Sequence, residues 1–202
     1  MTRQQFDQEL AGVRQMLHSM LDQVAEMVLL AGEAASTGDE STLRRIVEMD
    51  NAIDEMEETT VMRVLEMIIL QAPVSKDARF LATVLAIVGE IEQAGDDAVK
   101  LSKRLRRLGD DFPDGFRLPL GSLAEAVVDT LRSAGDLIDN YTEARASEII
   151  AGDNAIDSGY KQARDHVLSI ADLHPPMSRQ TFWTIEAFHA LEHVADHAVE
   201  IA

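Results

Sequence analysis

The pentapeptide Asp50-Asn51-Ala52-Ile53-Asp54 occurs twice, returning unchanged as Asp153-Asn154-Ala155-Ile156-Asp157. A second motif trails each copy. Glu92-Gln93-Ala94-Gly95-Asp96-Asp97-Ala98-Val99 comes back as Glu192-His193-Val194-Ala195-Asp196-His197-Ala198-Val199. The first pair is 103 residues apart and the second 100, so the two motifs keep nearly the same separation in each half. A period that long in 202 residues is not a solenoid of short units. It is an internal duplication, and whatever the first half folds into, the second must fold into as well.

The repeated unit reads as helical. Leu, Ala, Glu, Met and Arg are plentiful, and aromatic residues make up only 4% of the chain, with little β-branched alternation. Within each motif the acids stand four apart, so on a helix both carboxylates point the same way. An apolar line through Leu81, Leu85 and Val88 continues onto Glu92 and Asp96 before Val99. Upstream, a line through Leu43, Ile46 and Val47 meets Asp50, Asp54 and Glu57 before resuming at Val61, Leu65 and Ile68. The second half repeats the interruption along Ile149, Asp153, Ile156, Asp157, Tyr160, Val167 and Ala171. Acids on a core-facing stripe cost several kcal/mol each unless something cancels their charge. A chain with 36 acidic residues makes solvated acids the plain reading of any single pair. Four interruptions in two matched pairs demand more.

The order of elements follows from breaks in these patterns. A first helix carries Phe6, Leu10, Val13, Leu17, Met20, Leu21, Val24, Val28 and Ala31 on one face, and Ser36-Thr37-Gly38 ends it. Asp39 caps the second helix, which runs to about Gln71. Ala72-Pro73-Val74-Ser75 is a turn, with Ser75 or Asp77 available to cap a third helix that runs to about Leu108 and ends in Lys100, Lys103, Arg104, Arg106 and Arg107. Gly109 to Gly115 forms the linker. Leu120, Leu123, Val127, Leu131, Ala134, Ile138 and Tyr141 mark a fourth helix, broken at Asp139-Asn140 with Thr142 as cap. The fifth helix ends near Asp172 at His174-Pro175-Pro176, and Ser178 opens the sixth. The sixth stops at Ala202, a turn or two sooner after its motif than the third, as either a shortened helix or one with an absent tail. The expected fold is all-α: two tandem three-helix bundles, residues 1–110 and 111–202.

A net charge of −18 argues against binding to nucleic acid or an anionic membrane, which needs clustered Lys and Arg. It suits the capture of cations. With no cysteine there is neither a disulfide nor a thiolate metal site. The amino terminus MTRQQFDQEL has no apolar core region, and apolar runs are short, so a soluble cytoplasmic protein with no membrane insertion is expected. No Gly-x-Ser-x-Gly elbow and no Gly-x-x-x-x-Gly-Lys loop is present, which argues against an enzyme of either kind.

Two helices per half, each offering an inward acid pair, can surround a cation with oxygen alone. Asp50, Asp54, Glu92 and Asp96 make one candidate site, and Asp153, Asp157, Glu192 and Asp196 the other. Glu57 is an extra candidate in the first half only, since Tyr160 takes its place in the second. Oxygen donors favour Mg²⁺, Mn²⁺, Ca²⁺ or iron over structural zinc, and four carboxylates leave room for more than one ion. His189, His193 and His197 share a face one residue's rotation away, opposite nothing comparable in the first half, where Gly89, Gln93 and Asp97 stand. They read as a partly exposed surface row. Glu186-x-x-His189 echoes the di-iron carboxylate motif, which needs a second copy that the chain lacks. A carboxylate-bridged di-iron oxidase or iron-handling bundle remains the alternative.

These motifs resemble the PhoU family over nearly the whole chain. Gln71-Ala72-Pro73-Val74-Ser75-Lys76-Asp77-Ala78-Arg79 is similar to the family's Gln-Pro-Val-Ala-x-Asp-Leu-Arg, with one extra residue before the proline. Leu191-Glu192-His193-Val194-Ala195-Asp196-His197-Ala198 resembles its Leu-Glu-Arg-Ile-Gly-Asp-His-Ala. The resemblance implies two three-helix bundles, often a homodimer, with multinuclear clusters of iron or another metal (Mg, Mn or Zn) on the acidic motifs. It also implies negative regulation of phosphate transport and phosphate-starvation signalling, through contact with the phosphate ABC transporter's ATPase subunit and a sensor histidine kinase. The turn motif survives only once, because Arg179 and Thr181 replace its Asp and Arg in the second half. Gln93 and His193 stand where the family often has Arg.

Overall fold

A computed structural model describes residues 3–37, 39–108, 114–173 and 177–202. Six helices account for nearly all of them: α1 (Arg3–Thr37), α2 (Glu40–Gln71), α3 (Ser75–Arg106), α4 (Asp114–Asn140), α5 (Glu143–Leu173) and α6 (Ser178–Ile201). No strand occurs among the described residues. The fold is all-α and internally repeated, α1–α3 answering α4–α6.

Side-chain contacts fix the directions. Arg45 meets Glu26 at 2.9 Å and Arg63 meets Glu9 at 3.6 Å, so α2 runs back along α1. Ser102 Oγ donates to the Leu43 carbonyl at 2.6 Å, so α3 returns along α2. Arg104 pairs with Glu186 and Asp97 with His197, which sets α6 antiparallel to α3. Arg14 reaches the Ile138 carbonyl and His18 meets Asp139 at 3.0 Å, tying α1 to α4. Each half is a three-helix bundle as expected, and the two bundles pack against each other through α1 with α4 and α3 with α6. One continuous apolar core runs through both, with α1, α3, α4 and α6 at its centre and α2 and α5 on the flanks. Leu17, Met20, Ile91, Phe116, Leu131 and Phe188 are fully buried there, and each such side chain contributes about 1.5–3 kcal/mol.

Local chemistry explains most boundaries. Asp39 accepts from the Ser41 backbone N–H at 2.9 Å and starts α2 as expected. Thr142 Oγ1 accepts from the Arg145 N–H at 3.2 Å at the head of α5. The turn before α3 differs. Neither Ser75 nor Asp77 caps that helix: Val74 occupies the N-cap without a side-chain bond, and Asp77 is drawn away to Arg3 at 2.7 Å. The turn is made instead by left-handed backbone at Ala72 (φ 42°) and Ser75 (φ 56°). Tyr141 lies past the end of α4 and is 67% exposed, so it is no part of that stripe. Residues 109–113 of the expected linker and 174–176 lie outside the described residues, while Asp114 and Gly115 belong to α4.

The largest correction concerns the seam of α2. Its buried residues are Leu43, Ile46, Ile53, Thr60, Val64 and Met67, a seven-residue rhythm, whereas Leu65 (40% exposed) and Ile68 (36%) face outward. On that rhythm Asp50 and Glu57 fall on the seam, and Asp54 falls beside it and is exposed. In α5 the same rhythm buries Ala146, Ile156, Ala163 and Val167 and places Asp153 and Tyr160 on the seam.

Candidate metal centres

Each acidic group assembles where a flanking helix meets a central one. In the first half Asp50 and Asp54 of α2 come opposite Glu92 and Asp96 of α3, near enough that the last three all act on Asp50. Burial, then Asp54, Asp96 and Glu92, push the Asp50 carboxyl from 3.8 up to about 6, against a weaker pull from Lys103. Glu57 joins this group: burial, then Glu92 and Asp54, raise its pKa. Gly95 is the residue that lets α2 come so close. A Cβ there would stand 3.1 Å from Asp50 Oδ1 and 3.2 Å from Ile53 Cδ1.

The second half repeats the arrangement on α5 and α6. Burial raises the pKa of Glu192, helped by Asp196 and Asp157 and opposed by His189 and His193. Burial likewise raises that of Asp196, with Asp153 next and His193 opposing. Asp157 is partly neutralised by Lys161 at 3.2 Å. All eight predicted carboxylates are thus gathered into two groups of four, although Asp54 and Asp196 keep exposed positions. The donor set is oxygen only and anionic in excess, which fits a hard cation such as iron or Mn²⁺ and suits a sulfur-seeking ion poorly. Among the described residues one trio brings its donor atoms within 4.8 Å of one another, and it is a different one: His189, Glu192 and His193. The carboxylate quartets are more widely spaced, as like charges are.

The histidine row divides. His189 and His193 are partly exposed, as expected. His197 instead lies in the α3–α6 joint, its Nδ1 2.8 Å from Glu90 and its Nε2 3.3 Å from Asp97. The hydrogen bond it donates to Asp97, with help from Glu90, raises its pKa. Asp97 itself is 4% exposed. Burial works to raise its pKa, but His197 and Lys100 outweigh it and the net shift is downward. The inward line through Glu92 and Asp96 gave no sign of this, because α3 is buried on two sides. The run Ala94-x-x-Asp97-Ala98-x-x-Leu101 held the signal. Glu186 pairs with Arg104 at 3.3 Å, so the Glu-x-x-His echo is not assembled as a metal motif.

A duplicated helical bundle with a matched carboxylate quartet in each half is a recognisable class of protein. The chain belongs to the PhoU family: the family's PhoU-domain model matches residues 17–105 and again 120–202. It is 25% identical to the phosphate-specific transport system accessory protein PhoU homolog of Clostridium acetobutylicum, covering 100% of this chain and 92% of that one. It is 26% identical to the protein of the same description from Pseudomonas putida, over 98% of this chain and 78% of its relative. The fold is similar to the crystal structure of PhoU from Pseudomonas aeruginosa, with a TM-score of 0.89 at 24% identity, covering 97% of this chain and 94% of that one. The phosphate transport system regulatory protein PhoU from Streptococcus pneumoniae gives 0.86 at 19%, covering 97% and 92%.

Proposed function

We propose that this chain is a metal-binding regulator of phosphate transport and phosphate-starvation signalling, acting from the cytoplasm as a homodimer. Its family is one of regulatory accessory proteins rather than enzymes. No described helix is long and apolar enough to cross a membrane, which suits a partner that docks on a transporter from one side. In this reading it restrains the phosphate response by contact with the ATPase subunit of the phosphate ABC transporter and with a sensor histidine kinase.

The observation that supports metal binding best is the carboxyl of Asp50, held near 6 by burial and three neighbouring acids. Such a group is unfavourable by itself and becomes favourable when a cation is shared. Asp50, Asp54, Glu92 and Asp96 would hold one ion or cluster, with Glu57 at its edge, and Asp153, Asp157, Glu192 and Asp196 the other. Iron is the first expectation from the family resemblance, with Mn, Mg or Zn as alternatives. Bound there, the metal would supply positive charge that draws α2 to α3 and α5 to α6.

Elemental analysis of protein purified without chelator or affinity-tag metal tests the metal reading directly. Iron or manganese at one or more ions per half is expected, and its removal should lower the melting temperature. Metal-free protein whose melting is indifferent to added Mn²⁺ and Fe²⁺ refutes it. For the regulatory reading, deletion of the gene should switch on a phosphate-starvation reporter in phosphate-rich medium, and the wild-type gene should silence it. A reporter that stays silent on deletion refutes that part.

A further inference from the structure

His189 and His193 stand one turn apart on α6 with ring centroids 4.2 Å from each other. Glu192 Oε2 lies 3.8 Å from His189 Nε2, and one donor atom from each of the three residues falls within 4.8 Å of the others. Two neutral imidazoles and a carboxylate on one helical face are a chelating set for a borderline metal dication, as in helical His-x-x-x-His pairs. A buried carboxylate also stands beside the second ring. His193 Nδ1 faces Asp97 Oδ2 at 3.7 Å across the α3–α6 joint, and Lys100 at 2.8 Å and His197 at 3.3 Å fix that buried carboxylate. A carboxylate behind one ring nitrogen orients an imidazole and leaves the other nitrogen to bind. Tyr160 flanks His189, its ring centroid 6.2 Å away. The first half has Gly89 and Gln93 at the corresponding places, where neither supplies an imidazole.

We propose that His189, Glu192 and His193 form a mixed nitrogen–oxygen site for a transition-metal dication of the zinc and nickel class. The two halves share their carboxylates but differ in the metal they select. Nitrogen donors steepen the preference for Ni²⁺ and Zn²⁺ over Mn²⁺, whereas oxygen donors leave it shallow. This deepens the metal reading above at one half only, because Glu192 belongs to both donor sets.

The test uses chelator-stripped full-length protein. Imidazole nitrogen resonances are followed while Zn²⁺ is added, and calorimetry measures Ni²⁺ and Mn²⁺ affinities in wild type, in the double variant His189→Gln with His193→Gln, and in Asp50→Asn. Zn²⁺ should shift the rings of His189 and His193 and leave His18, paired with Asp139, and His166, beside the Gly115 carbonyl, unmoved. The double variant should weaken Ni²⁺ binding by about tenfold or more and leave Mn²⁺ binding sensitive only to Asp50→Asn. Unmoved rings, or Ni²⁺ affinity that survives the double variant while Mn²⁺ binds as before, overturn the mixed site and spare the oxygen clusters. Histidine-dependent Ni²⁺ binding without any Mn²⁺ binding upholds the mixed site and overturns the oxygen clusters. Binding of neither ion overturns both.

Discussion

Replacing Asp50 by Asn should stabilise the metal-free protein, and by an amount that depends on pH. The carboxyl titrates near 3.8 in the unfolded chain and at about 6 in the fold. At about 1.4 kcal/mol per pH unit, that rise sets a ceiling of roughly 3 kcal/mol for the cost of its charge at neutral pH. Asp50 is only partly buried, and water screening reduces the figure to roughly 1–2 kcal/mol. Because the folded pKa is raised, the folded state binds more protons than the unfolded state between these two values. The protein is therefore most favoured below 3.8 and loses that advantage as pH rises through about 6. Asn carries no such penalty. Urea unfolding of both chelator-treated proteins should show Asp50→Asn ahead by about 1–2 kcal/mol near pH 7.5, with about a third of that gain left near pH 4.5. Saturating Mn²⁺ should reverse the order, since the wild type then gains about 2.7 kcal/mol at a hundredfold excess over Kd and the variant less. Equal stabilities near pH 7.5, or a difference of one size at both pH values, would refute the account of Asp50 as a buried charge pressed by its neighbours.

Other substitutions probe the joints. Asp97→Asn should destabilise by about 1–3 kcal/mol in urea, because Lys100 and His197 lose a buried anion. Since the folded pKa of Asp97 is lowered, the loss should be full above the ordinary carboxylate range and fade as pH falls below it. Ser102→Ala removes the 2.6 Å bond to the Leu43 carbonyl and should cost about 1–2 kcal/mol by thermal melting. Gly152→Ala meets nothing within 4 Å and should stabilise by about 0.8 kcal/mol, whereas Gly95→Ala should forfeit that gain by crowding Asp50 and Ile53. Equal gains from the two glycine variants would mean that the close approach of α2 to α3 is not tight there.

Helix order and the two acidic groups were legible because duplication doubles every signal: a helical rhythm interrupted by acid once is noise, and twice at matched places is pattern. The α2 seam was harder to read. Val61, Leu65 and Ile68 are as apolar as Val64 and Met67, and nothing in residue type says which line is inward. Thr60, buried on the true line, even points the wrong way. Asp97 escaped for a related reason. Periodicity finds one buried face, but α3 has neighbours on two, and its second face is written in small residues, Ala94 and Ala98, rather than large ones. That α1 and α3 would each meet a helix of the other half is a long-range fact that no local spacing encodes.

In the assembled core α1 meets α4 and α3 meets α6, each element of one repeat lying against its own counterpart in the other. That is the signature of an isologous two-fold interface, the kind through which identical subunits pair. The chain is in effect a covalently fused dimer of a three-helix unit. Fusion removes the requirement that both partners carry the same residues. A two-fold pair of identical chains must show a histidine on both sides or on neither, while a fused pair can place His189 and His193 on one side only and keep Gly89 and Gln93 on the other. The chain connection that keeps the two repeats together is also what frees them to differ as binding units.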